Sequence, residues 1–238
     1  MDDPILTIDE REAINSGRWF ASLSASLRHD ILRCSHVKRF RDGVLIAARG
    51  NPPVEWVACA RGAVRVCSTT PSGRQITLTY LEPGIWFGDV AIFDGDRRTH
   101  DAYAQGDTSL LCVPKEDFRK ILSDHPELYE ALLRLQARRI RQLYSLVEDL
   151  NTLPLRARLA KQLVYLTRSY GVPILPERRE LRISLQLAQE DLAQLLGASR
   201  QRVNQELKFM EREEILRIEW SSLVVRDRQA LERLAGTN

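Results

Sequence analysis

The residues best placed to do chemistry lie in the run QEDLAQLLGASRQRVNQELK, from Gln189 to Lys208. Ser199, Arg200, Gln201, Arg202, Gln205 and Lys208 would occupy the start and outward face of a helix. Its inward face is Val203 and Leu207, four residues apart. Arg and Gln can bond base edges through two atoms at once, and cationic and hydroxyl side chains bond phosphates. That combination suits the major groove of double-stranded DNA. Such a helix needs a partner to hold it. Leu192, Ala193 and Leu196 share one face of a preceding helix, and Gly197 can end that helix in the left-handed region. Ser199 is placed to cap the second helix. Two short helices with a small residue at the crossing and a tight turn form a helix-turn-helix. The plain alternative is a helical hairpin in a core, and the flanking sequence argues against it.

The whole chain sets bounds on this reading. Its 238 residues are enough for two small domains, and the 44% hydrophobic share supports packed cores. Net charge is only +3, so the chain is no polycation. From Asn151 onward there are 15 Lys/Arg against 11 Asp/Glu, and before it 20 against 21. The positive excess therefore lies with the helix-turn-helix. Cys34, Cys59, Cys67 and Cys112 lack CxxC spacing, which argues against a zinc knuckle or clustered iron–sulfur site. No metal site is expected. Cys59, Cys67 and Cys112 read as small core residues of a reducing compartment. The acidic, polar N-terminus is not a signal peptide, and no run of about 18 apolar residues could span a membrane. A cytoplasmic protein without membrane contact is expected.

Residues 1–18 read as a polar arm with at most a turn of helix. Trp19 to Cys34 reads as one helix, on Phe20, Leu23, Leu27, Ile31 and Leu32. From Val37 to Val113, short runs (VLIAA, VEWVACA, GAVRVCS, QITLTYL, DAYAQ, TSLLCVP) alternate with Gly and Pro turns. That pattern predicts a sandwich or jelly roll, here placed in residues 19–125. A long helix follows, and with its hinge it takes residues 126–152. Tyr129, Leu133, Gln136, Ile140, Leu143, Val147 and Leu150 alternate steps of four and three, a heptad seam for a second copy of the helix. Leu132, Leu135 and Leu146 are left to pack on its own domain. Pro154 is expected in the first turn of the next helix, with Asn151 or Thr152 capping nearby. Residues 153–238 then hold a helix from Leu155 to Tyr170, a short strand at Arg182–Leu185, the helix-turn-helix, a hairpin (ILRIEW, SLVVRD) that reads as a wing, and a helix from Arg228 to Leu234.

A roll, a long dimer-type helix and a winged helix-turn-helix, in that order, resemble the Crp–Fnr family of bacterial transcription regulators. The resemblance covers about Trp19 to Leu234. It rests on LAQEDLAQLLGASRQRVNQELK followed by EREEILRI, on the position of the long helix, and on FGDVAIFDGDRRTHDAYA, which looks like the family's phosphate-binding cassette. The fold it implies is α+β, with a cyclic-nucleotide-binding-like β-roll (jelly roll), a dimerisation helix and a C-terminal winged helix-turn-helix. The implied function is sequence-specific transcription regulation by a homodimer on a pseudo-palindromic operator, with RNA polymerase as a further partner and no enzymatic activity.

In the cassette, Gly88, Asp89, Val90 and Ala91 would offer backbone N–H groups to an anion. Asp89 could accept from a ribose hydroxyl, and Arg98 and Thr99 could bond a phosphate. On the long helix, Arg139 and Tyr144 complete the candidate effector set. The resemblance makes a cyclic nucleotide, or another small effector, the ligand to consider. Departures from the family pattern weigh against cyclic AMP. The acid is Asp where Glu is usual, His100 and Asp101 stand where residues are usually small, and Leu143 and Tyr144 stand where small hydroxyl residues meet adenine. On the DNA side, Ser199 and Arg200 match the family, whereas Gln201 stands for Glu and Gln205 for Arg. The preferred half-site should therefore differ from that of the cyclic AMP receptor. The competing expectation is a cyclic-nucleotide-binding module that regulates a partner protein.

Overall fold

The hydroxyl of Thr7 accepts from the Glu10 amide at 3.3 Å, and the Glu10 carboxylate accepts from the Thr7 amide at 2.9 Å. This capping box starts helix α1, Ile8–Ser16. The structure is a computed structural model describing residues 5–70, 73, 75–174, 180–219 and 222–236. Much of the expected N-terminal arm is thus a packed helix, with Ile14 fully buried. Its polar composition hides one apolar contact and one ion pair. Glu10, 1% exposed, is bonded by Arg39 at 2.6 Å. The expected helix from Trp19 to Cys34 is two helices, α2 (Arg18–Ala21) and α3 (Ala25–Arg33). Ser24 restarts the chain by accepting from the Leu27 amide.

An antiparallel sheet follows, built from β1 (His36–Phe40), β2 (Leu45–Ala47), β3 (Glu55–Thr69), β4 (Gln75–Leu81), β5 (Trp86–Phe87) and β6 (Asp101–Pro114). Strand order is β1-β6-β3-β4, with β2 also on β6 and β5 on β3. Helix α4 (Asp89–Asp94) precedes β6, and α5 (Lys115–Asp124) and α6 (Glu127–Thr152) follow it. Four of the expected short strands are really two long ones: VEWVACA and GAVRVCS merge into β3, and DAYAQ and TSLLCVP into β6. Gly62 marks a bulge rather than a turn. The β3–β6 register shifts on either side of Arg61, and Gly62 has φ +72°. A Cβ there would stand 2.7 Å from the Asp107 carbonyl oxygen. Strands β1 and β5 were not expected: β1 is polar along most of its length, and β5 has two residues.

The core of this unit is aromatic. The rings of Trp56 and Trp86 lie 4.1 Å apart, with Trp19, Phe20 and Phe118 around them. The indole N–H of Trp19 donates to the Ala131 carbonyl at 3.0 Å, which fastens α2 to α6. Cys59, Cys67 and Cys112 are buried thiols, as expected for small core residues. Burial pushes the Cys59 and Cys112 thiols up to about 12. Among the described residues, no helix is long and apolar enough to cross a membrane.

The chain divides into two compact units within α6. The first runs through Gln142 apart from Ile76–Leu78, and the second takes those three residues and resumes at Leu143. Asn151 and Thr152 bond back to the carbonyls of Val147 and Glu148, so they close α6 instead of opening the next helix. Pro154 takes the N-cap position of α7 (Leu155–Tyr170), one place before the first turn. Then come β7 (Gly171–Pro173), β8 (Leu181–Ile183), α8 (Gln189–Leu195), α9 (Arg200–Arg212), β9 (Leu216–Ile218), β10 (Leu223–Val225) and α10 (Arg228–Leu234). The expected wing hairpin, β9 with β10, is one edge of a four-stranded antiparallel sheet of order β7-β8-β10-β9. Trp220, part of the expected hairpin, lies outside the described residues.

Burial alone would raise the Glu10 carboxyl. Bonds from Arg39, Ser109 and Thr7 outweigh it and lower the group from the usual 4.5 to about 2. The depressed folded value means that Glu10 adds stability above pH 4.5, and that this is lost as pH falls through about 2. Glu10→Gln should therefore lower the urea midpoint at neutral pH, with the gap to wild type closing between pH 4.5 and about 2. A gap that stays constant across that window would contradict the pairing.

Candidate nucleic-acid interface and effector cassette

The second unit builds the recognition face from local rules. Leu192, Ala193 and Leu196 are buried, as their spacing requires. Gly197 has φ +59°, a conformation that is cheap only without a Cβ. The Ala198 amide reaches the Ala193 carbonyl at 3.0 Å and completes the turn. Ser199 then caps α9, accepting from the Arg202 amide at 3.4 Å. Val203, Leu207 and Met210 are fully buried beneath it. Ser199, Arg200, Gln201, Arg202, Gln205 and Lys208 are all exposed, which places every candidate on the start or outer face of one helix. Among the described residues, Arg200, Arg202 and Lys208 form no ion pair, so their charge is unspent.

Residues that sequence reasoning passed over fix the angle of this helix. The Arg156 guanidinium lies 3.5 Å from the Phe209 ring centroid and donates to Glu206 at 2.7 Å, clamping α9 to α7. Arg158 donates to the Leu196 carbonyl at 3.0 Å and satisfies the end of α8. Arg156 and Arg158 look like surface charge in sequence. Only the fold shows that α7 carries them to the helix-turn-helix.

In the first unit, Gly88 precedes α4 with φ +88°, and an added Cβ would sit 3.2 Å from the Glu55 carbonyl oxygen. The turn delivers Asp89 into the interior, fully buried. Two side chains of α6 meet it there. Arg139 donates to its carboxylate at 3.3 Å and Gln136 donates to its Oδ2. Arg139 also donates to the Trp86 carbonyl. Gln136 and Arg139 are three apart on a helix, so they share a face, and that spacing is the signal that could have paired them. Gln136, placed on the dimer seam by its spacing, is thus held by Asp89 of its own chain.

The remaining effector candidates scatter. Arg98 is half-buried against the Glu55 carbonyl at 3.4 Å, and burial lowers its pKa from the ordinary value. It lines a cavity of about 160 Å³ with Phe40, Ile46, Val57, Phe87 and Leu110. Ala91 is buried, Val90 is exposed, and exposed Thr99 bonds the His100 ring at 2.8 Å. The Asp101 carboxylate accepts from the Arg49 amide at 2.8 Å, so it is engaged rather than bare. Tyr144 is exposed on α6.

Leu132 is buried on α6 and Leu135 half-buried against the core, as expected, but Leu146 is 47% exposed because the core cluster ends at Leu135. Tyr129, Leu133, Ile140, Leu143, Val147 and Leu150 are 46–69% exposed, which leaves an apolar stripe along α6.

Comparison with known proteins agrees with this architecture. Residues 37–125 match the family of the cyclic nucleotide-binding domain, and residues 157–234 match the Crp-like helix-turn-helix domain. A CRP-like cAMP-activated global transcriptional regulator of Mycobacterium tuberculosis is 33% identical over 82% of this chain and 86% of its own. The cyclic AMP receptor protein of Thermus thermophilus is 31% identical over 74% of this chain and 77% of its own. A crystal structure of a CRP-family transcriptional regulator, also from Thermus thermophilus, superposes with a TM-score of 0.69 at 28% identity, covering 84% of this chain and 96% of the other.

The left-handed backbone at Gly88 and the nearby Glu55 carbonyl predict a cost for any side chain there. Gly88→Ala should destabilise the protein by about 1–3 kcal/mol, read as a lower thermal midpoint. An unchanged midpoint would show that the turn has other room.

Proposed function

This chain belongs to the Crp/Fnr family of transcription regulators, and we propose that it binds a specific, imperfectly palindromic operator as a homodimer in the cytoplasm. The observation that carries this is the exposed face of α9, which presents Arg200, Gln201, Gln205 and Lys208 with no competing ion pair among the described residues. Arg200 is the residue for a guanine or a phosphate, and Gln201 and Gln205 favour adenine. Arg202 and Lys208 serve phosphates. The half-site is therefore distinct from one read by Glu and Arg at those two places.

The stripe along α6 supports a second copy as its occupant. A heptad seam buries its apolar side chains only against another helix, and twofold symmetry pairs like with like. Two recognition helices held this way would contact half-sites about 34 Å apart. RNA polymerase is the expected further partner of such a regulator.

A small effector in the first unit completes the reading. We infer that the Arg98 cavity holds an effector other than cyclic AMP, since Asp89, Leu143 and Tyr144 depart from the residues that meet that nucleotide in the family. Because Asp89 already holds Gln136 and Arg139, a ligand that took the carboxylate would free two side chains of α6. Calorimetry with cyclic AMP and cyclic GMP tests this part, and no heat from either is expected.

Operator fragments recovered by genome-wide pull-down should be pseudo-palindromes. Arg200→Ala should bind them roughly 5- to 150-fold more weakly, about 1–3 kcal/mol, with circular dichroism unchanged. Equal affinity in that variant would remove Arg200 from the interface. Leu143→Glu with Val147→Glu should sediment as a monomer, and a persistent dimer would rule out the α6 stripe as its seam.

A further inference from the structure

Three side chains remote in sequence converge at one end of the β-roll. His36 opens β1, Glu55 opens β3, and Cys112 lies near the end of β6. The sheet brings them together: His36 and Val57 both pair with Cys112 in register, and Glu55 sits two residues before Val57 on the same face. One ligand-type atom from each of the three lies within 4.8 Å of the others. His36 Nε2 is 3.1 Å from a Glu55 oxygen. Cys112 is buried, Glu55 is mostly buried, and the His36 side chain is 46% exposed. An ion would thus have a solvent route past the imidazole to an otherwise enclosed thiol.

We propose that His36, Glu55 and Cys112 form a binding site for a divalent transition metal of the zinc type. Imidazole, carboxylate and thiolate are the donors that such ions select. Three protein ligands leave a fourth position open, which is the arrangement of a site that exchanges a ligand rather than one that staples a fold. Tetrahedral bonds of about 2.0–2.3 Å place donor atoms about 3.3–3.8 Å apart, so the widest pair must tighten by about 1–1.5 Å at most. On binding, the ion takes the place of the Cys112 thiol proton, which leaves to solvent. Thiolate and carboxylate then supply two negative charges against the ion's two positive ones.

Two cations face the ion: Arg98, which lines the same cavity and donates to the Glu55 carbonyl, and Lys38. Lys38 lies on the same strand as His36, two residues on, and its Nζ donates to both Glu55 oxygens at 2.7 and 2.6 Å. It holds the carboxylate as the ion would. Its side chain is 42% exposed, so it can turn outward when the ion enters. Lys38 therefore sets the affinity by competition, and removing its charge should tighten binding. A purely structural role for the cluster predicts the reverse, because Glu55 would lose its partner. The site shares the Arg98 cavity, which Lys38, Glu55 and Cys112 also line, and is independent of the DNA-binding reading.

Cobalt(II) is the probe, because thiolate ligation gives a near-ultraviolet charge-transfer band and tetrahedral geometry gives intense visible bands. Titration of the reduced full-length protein should show one cobalt per chain with the thiolate band, displaced by zinc. Cys112→Ser should abolish the band, while Cys34→Ser should keep it. His36→Ala should weaken cobalt binding by about tenfold or more, and its half-exposed position makes unfolding no explanation. Lys38→Met should strengthen it. No saturable binding, a band that survives Cys112→Ser, or unchanged affinity in His36→Ala would each overturn the proposal.

Discussion

A carboxylate removed from water must find donors, and Asp89 finds them on a helix some fifty residues further along the chain. Much of the first unit follows from that need. Gly88 must adopt a left-handed conformation so that the chain turns Asp89 inward. Helix α6 must run close enough for Gln136 and Arg139, one turn apart, to reach the same oxygens. The bond from Arg139 to the Trp86 carbonyl and the bond from Trp19 to the Ala131 carbonyl then tie the aromatic core to the same helix. Buried ion pairs of this kind are poor sources of net stability, since desolvation offsets most of the attraction, but breaking one leaves an uncompensated group. Asp89 is therefore better understood as a device that fixes where α6 lies against the roll. A ligand competing for it would act on position first and on stability second.

The helix-turn-helix obeys a different logic. Its turn, cap and inward face are all local: Gly197, Ser199, and Val203 with Leu207 each act on residues within one or two turns. Local rules are legible in sequence, and so were α7, α9 and α10, the fold class and the outward face of the reading helix. The tilt of that helix is not local. It depends on Arg156 and Arg158, which α7 delivers from some forty to fifty residues away. Nothing in their own neighbourhood separates them from solvent-facing arginines.

The roll shows the same division. Turn glycines and alternating runs announced a β domain, but Gly62 reads as a turn when it is a bulge within one strand. A glycine with positive φ serves both purposes, and only the partner strand decides between them. The N-terminal helix carries no apolar stripe, because its burial is divided between Ile14 and an ion pair. Its T-x-x-E capping box, Thr7 with Glu10, was the available signal. The His36, Glu55 and Cys112 cluster had no linear signal. Metal motifs are recognised by short spacings along one segment, whereas these three come from three neighbouring strands.

These two kinds of constraint separate the positions that hold the fold from those that face outward. Gly197, Ser199 and Val203 hold the helix-turn-helix together through its turn, its cap and its core. Gln201 and Gln205 face outward and carry no packing duty, so their side chains are open to whatever the groove presents. The cassette shows a parallel pattern: Gly88 and Asp89 keep the backbone turn and a buried acid, while Thr99 and His100 face solvent and bond each other. Asp89 meets Gln136 and Arg139 in the interior, which ties the cassette to α6. The buried acid thus forms a mechanical link between the cassette and the helix.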